Sequence, residues 1–217
     1  MSLKSRDLHV WLDDIINELL QARKYLLNAE ALMAAMRPYR RKLQATDAVS
    51  ILNTTYWAHI EATLARLCRA YDKTGLGIEK LLKELADRPG LHDKSEIRRS
   101  LERHPMARQY AKSSINADIC LDDIRKDIVR VSRADPQVAK LQRWRDKRLS
   151  HKTPEDIWDR KAFSARLPLR LVDMHYLIRL GLKVAGRYNF GLYNTNRFIE
   201  GDAREEFERM VKSLIPD

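Results

Sequence analysis

Apolar residues recur at helical spacing along almost the whole of this chain, and no stretch alternates as a half-buried strand does. From Arg6 to Met36, Leu8, Leu12, Ile15, Ile16, Leu19, Leu26 and Leu27 fall mostly three and four apart, which gathers them on one side of an α-helix. Interruptions are scarce: 217 residues contain only 7 Gly and 7 Pro, the two types that most disfavour helix interiors. A helix with one apolar stripe must bury it against another element. The fold class expected is therefore all-α, a helical bundle over residues 1–187. Residues 188–217 are expected to form a loop and a C-terminal helical extension, packed on the bundle or extending it.

The few breaks set the expected element order. Pro38 ends the first helix. Thr46 or Asp47 caps a second, which runs through Ile51, Trp57, Ile60, Leu64 and Leu67 to about Tyr71. A turn from Asp72 to Gly77 leads into a short helix from Ile78 to Ala86, and Asp87 to Gly90 is a loop. Asp93 with Glu96 forms a capping box for a helix ending near His104 and Pro105. A long helix from about Met106 or Ser113 to Arg133 should turn Ile115, Ile119, Ile124, Ile128 and Val131 inward. Asp135-Pro136 is a cap followed by proline at the first helical position, and opens a helix ending about Ser150. Thr153-Pro154 and Leu167-Pro168 give the same signal, the last helix reaching about Arg187. An aromatic, Asn-rich loop is expected from Tyr188 to Phe198, and then a helix capped by Asp202 and ending near Leu214.

A formal net charge of +11 points to a polyanionic partner such as nucleic acid or an anionic membrane surface. The longest uncharged run, from Ala48 to Ile60, is too short to span a bilayer. Asp13 and Asp14 interrupt the first apolar stretch, so it does not read as a signal peptide. Cys68 and Cys120 both fall in expected helix interiors without paired spacing, and read as buried free thiols of a reducing compartment. The expectation is a cytoplasmic, soluble chain with no membrane partner.

One segment stands out by its chemistry. Arg145-Asp146-Lys147-Arg148-Leu149-Ser150-His151 sets an arginine, a polar partner and a histidine at the expected end of the helix that starts at Pro136. An imidazole moves protons near neutral pH and a guanidinium grips a phosphate by two hydrogen bonds, a set suited to cutting RNA without a metal. At about 100° per residue, Val138, Leu141 and Leu149 share a face and Arg145 lands between them. A charge on that side needs a partner or a cleft. Arg143, Lys147, Arg148 and Lys152, with Lys140 nearby, make the surroundings basic and are the candidate nucleic-acid-binding residues. The bland alternative pairs Arg145 with a core carboxylate such as Asp118 or Asp122. Spacing alone discriminates little, because Arg98 or Arg99 before His104, and Arg170 before His175, fit it too.

Other candidates carry less. Asp118 and Asp122 lie one turn apart, but no Glu-x-x-His partner accompanies them, so they read as salt-bridge residues and no metal site is expected. His92 and His104 lack companions at zinc spacing. His59, among Tyr56, Trp57 and Ile60, reads as a packed histidine. Arg37, Arg40, Arg41 and Lys42 read as a solvated helix end. Tyr188, Phe190, Tyr193 and Phe198 either stack on bases or pin the terminal helix. No phosphate-binding glycine loop or serine nucleophile elbow occurs, and no cofactor is expected.

The segment from Arg145 to His151 resembles the Arg-x4–6-His signature of the HEPN superfamily, whose second position is Asn, Asp or His. The surrounding string Leu141-Gln-Arg-Trp-Arg-Asp-Lys-Arg-Leu-Ser-His-Lys152 is similar to the AbiU-type abortive-infection branch. Leu64-Ala-Arg-Leu-Cys-Arg-Ala-Tyr-Asp72, followed by Ile78-Glu-Lys-Leu-Leu82, resembles the second helix of that branch, and the likeness spans about Arg6 to Arg187. It implies an antiparallel, HEPN-like helical bundle that pairs as a homodimer and brings two motifs to one cleft. It also implies a metal-independent endoribonuclease of a toxin–antitoxin or phage-defence system, with RNA as substrate and an antitoxin protein as a partner. His151 would then be general acid or base, Arg145 would neutralise the scissile phosphate, and Asp146 would orient one of them. The products would be a 2′,3′-cyclic phosphate and a 5′-hydroxyl. Thr153 stands where toxins held by nucleotidyltransferase antitoxins carry an AMP-accepting Tyr, which departs from that form of regulation. Many relatives of this kind are non-catalytic, so the alternative is a basic helical module that binds RNA or a protein.

Overall fold

A computed structural model describes residues 5–44, 46–88, 120–146, 169–193 and 204–214. Every regular element among them is helical: α1 Ser5–Met36, a 3-10 turn Arg37–Tyr39, α2 Arg40–Gln44, α3 Ala48–Ala70, α4 Ile78–Asp87, α5 Leu121–Val131, α6 Pro136–Arg145, α7 Leu171–Tyr193 and α8 Arg204–Ser213. The all-α bundle expected from the periodicity is what these residues form. No helix among them is long and apolar enough to cross a membrane.

The long helices run antiparallel, as cross-helix ties show. Arg66 on α3 meets Glu18 on α1, Thr63 donates to the Ala22 carbonyl, and the Tyr25 and His59 rings face each other, so numbers fall on one helix as they rise on the other. α7 lies against α1 in the same sense, with His175 at Glu30 and Gly181 at Leu19. A methyl group on Gly181 would sit 2.8 Å from both Leu19 methyls and 3.1 Å from the Tyr71 hydroxyl. The missing side chain therefore sets how closely the two helices approach.

Leu8, Leu12, Ile15, Leu19 and Leu26 of α1 are buried with Ile60, Leu64 and Leu67 of α3 and Leu177, Ile178 and Val184 of α7 in the main core. A second cluster at the other end of α1 joins Leu32, Ala35 and Met36 to Leu43, Leu52 and Val211, so α8 packs against α1. His59 is held between the Tyr25 and Phe207 rings, and burial lowers its pKa below the usual imidazole value. Ile51 and Trp57, expected along the stripe of α3, stay exposed. Ile51 sits half a circumference away from Ile60, on the solvent side.

Two further expectations change. Cys120 is exposed and stands in extended backbone at the start of α5, not buried inside a longer helix. α7 continues through Tyr193, so residues 188–193 are helix where a loop was expected. Tyr188 is fully buried, and its hydroxyl donates to Asp127 on α5, which also receives Arg187 and Arg130. That phenol faces the bundle interior, away from any base-stacking surface. The expected elements between Asp93 and Pro105, the starts at Thr153 and Leu167, Ile115, Ile119, Asp118, His92, His104, Phe198 and Asp202 lie outside the described residues.

Candidate active site

Two chain turns and one helix end build the site. α6 starts where Asp135 Oδ1 accepts from the Gln137 and Val138 N–H groups, with Pro136 in the first turn. Asp135 Oδ2 accepts from the Tyr176 hydroxyl at 2.6 Å, which fixes α6 on α7. Val138, Leu141 and Trp144 bury the inner face of α6. Arg145 then reaches the same side at the last turn, with 17% of its side chain exposed.

The second element is the turn from Asp72 to Gly77. Asp72 Oδ1 accepts from both the Thr74 N–H at 3.0 Å and the Thr74 hydroxyl at 2.9 Å, so its own turn orients the carboxylate. Gly77 closes that turn: a methyl group there would fall 2.1 Å from the Asp72 carbonyl oxygen and 2.6 Å from its nitrogen. The Trp11 indole N–H donates to the Leu76 carbonyl and ties the turn to α1.

These elements meet at the guanidinium. Arg145 Nη1 donates to Asp72 Oδ1 at 3.0 Å, while Nε and Nη2 donate to Asp146 Oδ1 at 3.1 and 2.9 Å. Arg133, at the turn between α5 and α6, donates through Nη2 to Asp146 Oδ2 at 2.9 Å and through Nε to Gln142 Oε1 at 2.6 Å. Gln142 is itself buried, its amide reaching the Tyr71 carbonyl. Cys68, Tyr71, Leu141, Gln142 and Arg145 line a void beside the pair that is too small to admit a water molecule.

The electrostatics are those of a closed charge network. Burial alone would raise the Asp72 carboxyl, but the Thr74 and Gly75 hydrogen bonds and Arg145 hold it below the ordinary carboxylate range. Asp146 follows the same pattern, with burial opposed by Arg145, Arg133 and Lys73. Burial likewise works against the Arg145 charge, yet Asp146 and Asp72 leave its pKa raised. Burial pushes the neighbouring Cys68 thiol up to about 12, which removes it as a nucleophile near neutral pH.

Of the residues singled out in the sequence, the structure brings Arg145 and Asp146 together. His151, Lys147, Arg148 and Lys152 lie outside the described residues. Arg143 is exposed, stands about 200° around α6 from Arg145, and donates back to the Ala139 carbonyl. Lys140 is engaged by the buried Asp173 on α7. The carboxylate suspected of pairing with Arg145 is corrected: Asp122 is a surface residue beside Arg125, and the partners are Asp72 and Asp146. The competing pair Arg170 and His175 separates, the first at Asp173 and the second at Glu30. Among the described residues no cluster of His, Cys, Asp and Glu could hold a metal ion. Asp72, Arg133 and Gln142 were missed as site residues. In the sequence Asp72 reads as the end of a helical run and the start of a turn, because contact between residues 73 apart leaves no periodic signal.

With this geometry in hand, comparison with known families is decisive: the profile of the HEPN family AbiU2 matches residues 6–212. The chain belongs to the AbiU2 family of HEPN proteins. The match spans the bundle, both turns of the site and α8, so this AbiU2 chain is related to an abortive-infection family along nearly its whole length. No curated protein and no solved structure matches it.

Proposed function

We propose that this AbiU2-family chain is a metal-independent endoribonuclease of a toxin–antitoxin or abortive-infection system. The observation that carries the reading is the Arg145 guanidinium, fixed by two carboxylates at a helix end, in a basic HEPN chain. A pre-oriented guanidinium loses little freedom on gripping a phosphate, and stabilises the charge that builds there as the 2′-oxygen attacks phosphorus. His151 takes the 2′-hydroxyl proton or returns one to the leaving 5′-oxygen. The P–O5′ bond breaks as the P–O2′ bond forms, which gives a 2′,3′-cyclic phosphate and a 5′-hydroxyl. Asp146 orients Arg145, and Arg143, Lys147, Arg148 and Lys152 contact the RNA backbone. The acting form is a homodimer with a composite cleft, held in check by an antitoxin protein.

A second reading has its own support. The two carboxylates neutralise Arg145 so fully that the network also suits a structural latch in a non-catalytic module binding RNA or protein. Cleavage of total cellular RNA in excess EDTA, beside Arg145→Ala and His151→Ala, separates the two. The ribonuclease reading expects cyclic-phosphate ends from wild type alone. Binding of RNA by a folded dimer without any cleavage selects the module, and equal cleavage by all three proteins refutes the assignment of the site.

A further inference from the structure

Arg133 is the part of the network that the sequence did not mark and the mechanism above does not use. It sits on the turn between α5 and α6, outside the Arg-Asp-x4-His segment, and half of its side chain is exposed. An exposed arginine samples many rotamers, and holding it costs up to about 2 kcal/mol of side-chain entropy. Here the structure has already imposed that cost. Gln142 fixes the Nε edge at 2.6 Å and Asp146 fixes Nη2 at 2.9 Å. Gln142 is buried and anchored on the Tyr71 carbonyl at the end of α3, so the restraint reaches back to the core.

Placement gives this restraint a purpose. Asp146 receives Arg145 on Oδ1 and Arg133 on Oδ2, so the two guanidinium groups stand one carboxylate apart. Lys73, exposed on the turn beside Asp72, adds a third positive charge that acts on the same carboxylate. Adjacent phosphates of one RNA strand present that kind of paired, same-sign target.

We infer that Arg133 is a second phosphate-binding guanidinium of the Arg145 site, gripping a phosphate next to the one that Arg145 holds. This rests on the reading of the chain as an RNA-binding ribonuclease. Asp146 then acts as the spacer that sets the separation of the two arginines. Arg133 touches the strand outside the scissile linkage, so it governs substrate affinity more than the chemical step.

Binding of a short single-stranded RNA to the full-length protein, followed by fluorescence anisotropy over a range of salt, tests this. Each phosphate contact to a single strand contributes about 0.7 to the slope of log affinity against log salt. Arg133→Ala should flatten the slope by about that amount and weaken binding several-fold, while Arg133→Lys keeps the slope. Arg125→Ala, on the outer face of α5, serves as the charge control and should leave the RNA-specific change absent. If Arg133→Ala fails to fold, Arg133→Gln keeps an N–H donor toward Asp146 and gives the same readout. A wild-type slope in folded Arg133→Ala or Arg133→Gln overturns the inference and leaves the ribonuclease reading standing. Flattening of equal size in Arg125→Ala also overturns it, as a general charge effect. Absence of RNA binding by wild type sinks both.

Discussion

The contact between Asp72 and Arg145 makes a quantitative prediction. The groups are 3.0 Å apart, with 31% and 17% of their side chains exposed, so the pair is neither a screened surface contact nor a dry buried one. Exposed pairs couple by about 0.2–1 kcal/mol, and charged hydrogen bonds contribute about 1.5–3 kcal/mol. Partial exposure, and the shared claim of Asp146 on the same guanidinium, put the coupling near 1 kcal/mol. Asp72→Asn, Arg145→Gln and the double variant, unfolded in urea, should yield that coupling in a double-mutant cycle. The pH dependence has a fixed sign. The folded-state pKa of Asp72 is depressed, so the stabilisation is complete above the unfolded value near 4 and drains away as pH falls through the folded value. A coupling below about 0.3 kcal/mol at neutral pH, or one that does not shrink on acidification towards about pH 2, would refute the argument.

Three other outcomes follow from the geometry. Gly77→Ala should lower stability by about 2 kcal/mol in thermal unfolding, because the new methyl meets Asp72 backbone atoms; Gly75→Ala should cost less, since it meets only the Asp72 carboxylate. Asp135→Ala should lower the urea midpoint by an amount equivalent to about 1–2 kcal/mol, as two cap bonds and the Tyr176 tie go together, whereas Tyr176→Phe should cost less. With a thiol reagent at mildly alkaline pH, Cys120 should react in the native protein and Cys68 only on unfolding. At a pKa of about 12, the buried thiol is ionised to roughly one part in ten thousand near pH 8. Two fast thiols in the native state would contradict the burial.

The bundle was legible in the sequence because its cause is local. Stripes such as Leu8, Leu12, Ile15 and Leu19 announce a helix, and Asp135-Pro136 announces where one starts. Even the outward Ile51 follows from phase once the inner face is known. What escaped is what depends on distant partners. Tyr188 looked like loop because aromatic and asparagine residues follow it, yet packing onto Asp127 carries the helix past it. Half of the site was readable: Arg145 and Asp146 stand in a compact motif, and the apolar phase of α6 showed that Arg145 needed a partner. Which partner was not readable, since Asp72 and Asp122 are equal as letters and differ only in where the folded chain places them.

The tie from Arg145 to Asp72 closes 73 residues of chain, and Arg133 reaches Asp146 across only 13. Loop-closure entropy grows with the logarithm of that length, so closing the longer loop costs about 1.5 kcal/mol more than closing the shorter one. The guanidinium site thus joins one local bridge to one that spans the bundle, and most of its ordering entropy lies in the second.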